Sequence, residues 1–197
     1  MKTAVLAAAL TAFIAAEAAA QFQEVPQVGP FRHVGSNTTF PEQVGPYERG
    51  KVFRLDDPAG ENVAVGYQSR APGARVILME FVYPPQPAGK PSRETACETD
   101  FDASKAAIDK YDGARKLGDS TPPPMAGVPA RFSHQASYTF SAEIDGKPVT
   151  MQTDVVLYCY VAGNWFVKYR VSTPVGSDLR TPLNEFITTI GPWPGRK

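Results

Sequence analysis

The chain has 197 residues, with 20 Lys+Arg balanced by 20 Asp+Glu, 43% hydrophobic residues, 19 prolines, 16 glycines and two cysteines. A formal net charge of zero argues against a nucleic-acid partner, because binding a phosphate backbone requires clustered cations. An aromatic content of 11% and a charged content of 20% exclude a disordered chain, and the length suits one domain.

Residues 1–20 (MKTAVLAAALTAFIAAEAAA) read as a signal peptide. Lys2 is the positive start, Ala4 to Ala16 the apolar stretch, and Ala18-Ala19-Ala20 the small residues before cleavage. A spanning helix takes about 20 apolar residues, and Glu17 interrupts this shorter run. Cleavage after Ala20 predicts a periplasmic or secreted protein with no stable membrane anchor. Residues 21–39 mix Pro, Gly and polar residues without a period and read as an extended arm. A single α+β domain is expected over 40–192. Asn37-Thr38-Thr39 matches a glycosylation acceptor, which carries no weight behind a bacterial-type leader.

Lys51–Asp57 and Asn62–Ser69 read as strands joined by a turn at Asp57-Pro58-Ala59-Gly60, with Val63, Val65 and Tyr67 on one face. A turn at Arg70–Ala74 leads to Arg75–Tyr83, which is apolar on both sides except for Glu80 and therefore central in its sheet. After the breaker-rich Pro84–Ser92, Phe101, Ile108 and Tyr111 recur at helical spacing, with Ala103, Ser104 and Ala107 on the same side. Thr99 and Asp102 resemble a capping pair at the start of this helix; Gly113 weakens it and Gly118 ends it.

Beyond a loop at Ser120–Pro129, Phe132–Ile144 alternates apolar and polar residues with a period of two. Asp145-Gly146 is a hairpin turn that sets Ala142 opposite Val149, Phe140 opposite Met151 and Tyr138 opposite Thr153. The strand continues to Ala162, turns at Gly163-Asn164 and returns as Trp165–Ser172. That places Val156, Tyr158, Tyr160, Trp165, Val167 and Tyr169 on one face. Val155, Leu157, Cys159, Val161, Phe166, Lys168 and Arg170 take the other. The first face is continuous with the polar side of Phe132–Ile144. A bulge near Gln152–Asp154 would swap the two faces, but large apolar residues on each favour a sheet covered on both sides. Thr181 and Pro182 open a last helix with Leu183, Phe186, Ile187 and Ile190 as its stripe, stopped by Gly191-Pro192. The sum is an α+β fold: an antiparallel sheet of about six strands packed with two helices as an α/β sandwich.

The inventory of reactive side chains is thin. Cys97 and Cys159 allow one pairing, which an oxidising compartment favours; two buried thiols are the alternative. No C-x-x-C, G-x-S-x-G or phosphate-cradling glycine loop occurs, and no cofactor is called for. His33 and His134 have no second histidine or cysteine at ligand spacing, so no metal site is expected. Asp56-Asp57 and Asp100/Asp102 fit a turn and a helix start. His134 lies on the apolar side of its strand and reads as a hydrogen-bonded core histidine; a hydrolase using His134 or Cys159 is the competing reading. Tyr158, Tyr160, Trp165 and Tyr169 form an aromatic set that either lines a groove for a ligand or partner or belongs to the core.

Phe40–Arg49 (FPEQVGPYER), Val63–Tyr67 (VAVGY), the Arg75–Tyr83 strand and Asn164–Val171 (NWFVKYRV) together resemble a group of uncharacterised exported bacterial proteins. The order of elements is similar to the PsbP/Mog1-like sandwich. The resemblance implies a non-enzymatic binding or accessory role toward a protein or small-molecule ligand, and it transfers no catalytic residue.

Overall fold

The computed structural model describes residues 23–55, 61–69, 76–85, 89–177 and 180–190. The leader, the turns at Asp57–Gly60 and Arg70–Ala74 and the Gly191-Pro192 stop lie outside the described residues. Short strands β1 (Gln23–Glu24), β2 (Phe31–His33), β3 (Thr38–Phe40) and β4 (Gln43–Val44) precede β5 (Tyr47–Arg54), β6 (Val63–Ser69) and β7 (Ile77–Tyr83). Helix α1 (Arg93–Ile108) leads to β8 (Arg115–Ser120), β9 (Ser133–Ile144), β10 (Lys147–Val161) and β11 (Trp165–Pro174), and helix α2 (Arg180–Ile190) follows. One antiparallel sheet runs in the order β1-β5-β6-β7-β11-β10-β9-β8, with β4 also on β5, while β2 and β3 form a separate hairpin. The α+β class and the six long strands match the sequence expectation.

The β9–β10 hairpin shows how directly local chemistry fixes register. Asp145 and Gly146 have φ of 53° and 73°, the left-handed pair that a type I′ turn needs. Ala142 then faces Val149, Phe140 faces Met151 and Tyr138 faces Thr153, as predicted. Pairing runs unbroken to Tyr158 opposite Ser133, so no bulge swaps the faces at Gln152–Asp154. The sheet is instead covered on both sides. Val63, Val65, Tyr67, Val156, Tyr158, Val167 and Tyr169 pack with Leu183 and Phe186 of α2 and with the β2–β3 hairpin. On the reverse face Phe81, Leu157, Cys159 and Phe166 pack with Cys97, Phe101 and Ile108 of α1.

Three local expectations need correction. Helix α1 begins at Arg93, not near Thr99, because the Ser92 side chain accepts from the Thr95 N–H and caps the first turn. It ends at Ile108 with Asp109 as its C-cap, and its inward face is Ala96, Cys97, Phe101, Ser104 and Ile108; Ala103 faces solvent. Residues 115–118, read as the tail of this helix, belong instead to edge strand β8 on β9, which runs to Ser120. The strand is almost wholly exposed, so its sequence carries no apolar alternation. Finally, the β10–β11 turn takes three residues: Val161 pairs with Trp165, and the register shifts between Tyr158 and Val161. Cys159 and Tyr160 together oppose Phe166, with Tyr160 at φ 60°, so Tyr160 joins the α1 face and Val161 the other.

The stretch read as an extended arm carries β1 and the β2–β3 hairpin. Arg49 holds it down, donating from Nη1 to the Phe40 carbonyl (2.7 Å) and from Nη2 to the Gly29 carbonyl (2.6 Å). Phe31, His33, Ser36, Thr38 and Phe40 are buried there.

Cys97 and Cys159 are bonded, joining α1 to β10 across 62 residues of chain. Closing a loop of that length stabilises by about 4 kcal/mol in the chain-entropy model. A Cys97→Ala/Cys159→Ala variant is expected to lose about 3–4 kcal/mol in urea unfolding. An unchanged midpoint would contradict the role given to this bond.

Burial, aided by Glu185 for Tyr47 and by Asp109, Asp119 and Asp102 for Tyr138, pushes both phenols from 10.0 up to about 12. The fold holds the neutral phenol. Its contribution is therefore full below pH 10 and is lost as pH climbs toward 12. Phenolate absorbance in an alkaline titration is expected to rise late and together with loss of circular dichroism. Complete ionisation by about pH 11 in an intact fold would overturn this.

Candidate functional site

The four rings singled out in the sequence do not share one groove. Tyr158 and Tyr169 are fully buried, 0% and 1% exposed, with their rings T-shaped at 6.1 Å. Their hydroxyls are committed: Tyr158 donates to the Pro123 carbonyl (2.6 Å) and Tyr169 to the Glu80 carboxylate (3.1 Å). Phe186 of α2 covers Tyr169 at 6.1 Å. Trp165 lies on the same face, partly buried and edge-on to His33 at 5.2 Å under the β2–β3 hairpin. A Cβ at Gly35 would stand 3.0 Å from the Trp165 ring, so the hairpin tip closes over the indole. Tyr160 is on the opposite face, against Phe132 and Phe166, with the Arg93 guanidinium 3.8 Å from its ring centroid. These rings bind the layers of the protein together.

Cys159 is bonded to Cys97 and has no thiol to offer as a nucleophile. His134 has a different setting. It stands opposite Leu157 on the α1 side of β9 and stacks on Phe101, with centroids 5.1 Å apart and planes at 25°. Its Nε2 is buried and makes no hydrogen bond.

That histidine borders a cleft of about 400 Å³ between α1 and the β8–β9 end of the sheet. Helix α1 contributes Glu98, Phe101, Asp102 and Lys105, which at i, i+3, i+4 and i+7 form one stripe that shares Phe101 with the buried face. Edge strand β8 adds Asp119 and Ser120, and β9 adds Ser133, His134 and Gln135. Phe101 is buried to 6% exposure and is the apolar part of the wall. Lys105 Nζ lies 2.7 Å from Asp102 Oδ1, and Lys116 Nζ lies 2.7 Å from Asp119 Oδ2. The disulfide sits one turn before Phe101 and fixes the helical wall to the sheet.

Burial holds the His134 imidazole below its usual range; Glu98 and Asp102 favour its charged form and Lys105 opposes it. On the far side of α1, burial raises the Asp100 carboxyl, against a Tyr83 hydroxyl donating at 2.5 Å and the charge of Lys168. Among the described residues, no group of three or more His, Cys, Asp or Glu side chains is placed to hold a metal ion. No helix among them is long and apolar enough to cross a membrane.

The sequence reading singled out His134 but not the cleft. The Glu98–Lys105 stripe was visible in principle at helical spacing, yet the misplaced helix start hid it. Asp119 and Ser120 carried no signal, because an exposed edge strand has no pattern of its own.

No protein-family model matches this α+β chain, and no curated protein matches it. Among solved structures, it is similar to the crystal structure of LpqN, involved in cell envelope biogenesis of Mycobacterium tuberculosis. The identity is 13%, the match covers 84% of this chain and 88% of that one, and the TM-score is 0.34. At that level the likeness concerns neither ligand nor activity.

Because His134 is held neutral by its surroundings, its share of stability is present above the ordinary imidazole pKa of 6.5 and is lost as pH falls through its lowered value. In an NMR titration, the His134 ring protons are expected to shift with a midpoint below 6.5. A midpoint at or above that value would contradict the description of this wall.

Proposed function

We propose that this chain is an exported, non-enzymatic binding module whose ligand site is the cleft between α1 and the β8–β9 end of the sheet. The observation that carries this reading is the Cys97–Cys159 bond. Such bonds form and persist in oxidising compartments, which agrees with the signal-like leader at residues 1–20. The same bond ties α1, one wall of the cleft, to the sheet and leaves Cys159 no thiol for catalysis. The resemblance to exported bacterial proteins, and the PsbP/Mog1-like order of elements, belong to this reading.

A second reading is a small hydrolase with His134 as general base, favoured by the presence of Ser120 and Ser133 in the same cleft. It requires a hydroxyl within about 3.2 Å of a ring nitrogen once substrate is bound, and Nε2 has no such partner here. Ester turnover by purified protein that disappears in His134→Ala would establish it.

The export reading is tested by expressing the full chain in a bacterial host with a periplasm. The expected product is periplasmic, begins at Gln21 by intact mass, and takes up no maleimide after denaturation. An intact precursor in the cytosol with two reactive thiols would overturn it.

A further inference from the structure

We infer that the N-terminal arm, Gln23–Val25, exchanges between two copies of this chain, giving a two-fold dimer in which each β1 pairs with β5 of the other copy. The exchange lies at the β1–β5 edge of the sheet, opposite the β8–β9 end that borders the cleft.

The arm is held lightly. Its ladder is Gln23 with Arg54 and Glu24 with Phe53, continued by the Val25 N–H donating to the Val52 carbonyl (2.9 Å). Glu24 Oε2 lies 2.7 Å from Lys51 Nζ, an ion pair with both side chains partly in water. Gln23 and Glu24 are exposed, and only Val25 packs against the core. A segment with edge hydrogen bonds, an exposed ion pair and so little buried apolar surface opens far more readily than the sheet it borders. It leaves behind an edge at Lys51–Arg54 whose register and charge fit this arm. A second copy supplies the identical strand, which makes it the matching occupant.

The pivot is defined on both sides. Gly29 is fixed, its N–H donating to Glu42 Oε1 (3.0 Å) and its carbonyl accepting from Arg49 Nη2 (2.6 Å). Pro26 has no N–H to lose, and it keeps Val25 extended whether the arm is docked or open. Pro26, Gln27 and Val28 are exposed and belong to no strand. Such a three-residue pivot reaches about 10 Å, so two arms cross only where their pivots lie side by side at the two-fold axis. Val28 stands there, 96% exposed, the most exposed large hydrophobic side chain among the described residues. The β1–β5 contacts are the same in the closed and exchanged forms. Packing of the two Val28 side chains across the axis is the contact that the closed monomer lacks.

The closed arm competes with exchange at an effective concentration in the millimolar range. In sedimentation velocity the mature chain is therefore expected to be monomeric at about 1 μM and half dimeric between about 0.1 and 1 mM. Gln23→Cys/Arg54→Cys puts a cysteine pair at exposed, directly facing positions. Oxidised when dilute, this variant is expected to bond within one chain; oxidised when concentrated, it is expected to give a dimer that survives a non-reducing denaturing gel. Val28→Ser is expected to weaken association about tenfold and to leave thermal unfolding of the monomer unchanged, because that side chain stands in water there. A chain that stays monomeric up to about 1 mM would overturn the exchange. So would a dimer whose engineered cysteines bond only within each chain. Association untouched by Val28→Ser would overturn the packing of the pivots at the axis.

Discussion

The centre of the sheet can leave neither of its faces to water. Leu157, Cys159 and Phe166 point to one side of β10 and β11, and Val156, Tyr158, Val167 and Tyr169 to the other, all essentially unexposed. Each such side chain stabilises the fold by about 1.5–3 kcal/mol only if something covers it. The rest of the architecture answers that demand. Helix α1 lies on one face, and α2 with the β2–β3 hairpin lies on the other. The bond between Cys97 and Cys159 makes one of these coverings covalent.

Where the chain's own local chemistry decides, the sequence was legible. Asp145-Gly146 dictates a turn type, the turn dictates a register, and the alternation along Phe132–Ile144 dictates which side chains go inward. The Val63, Val65 and Tyr67 face and the Leu183 and Phe186 stripe follow from the same periodicities. Legibility failed where a distant partner decides. Strand β8 exists because β9 offers it a free edge, and the β2–β3 hairpin is ordered because Trp165 and the Arg49 guanidinium await it. Ser92 caps α1 three residues ahead of Thr95, and a competing match at Thr99 obscured that start. The bulge at Cys159–Tyr160 follows from a three-residue turn, where two residues were equally plausible from the letters alone.

The candidate site repeats this division. Aromatic residues with a period of two draw attention, yet in a sheet covered twice such a stripe is core on whichever side it falls. Tyr160 parts from Tyr158 through one backbone angle. The cleft, in contrast, assembles ordinary surface letters from three elements: acidic and basic residues of α1, an edge-strand aspartate, and a histidine at the start of β9. What distinguishes it is positional, a buried imidazole set beside carboxylates from two other elements. Spacing along one element cannot reveal a property shared by three.

Strand β8 also governs how this molecule ends. A sheet edge presents a template on which a foreign strand can continue the ladder. Here the pairing with β9 slips between Lys116 and Gly118, so Leu117, 52% exposed, breaks the outer row of amides and carbonyls. Lys116 and Asp119 flank the irregularity with opposite charges held against each other. A neighbouring copy arriving at high concentration finds no continuous rung to grip along β8. The fold is thereby protected from growing into polymers at the same border that opens the cleft to solvent.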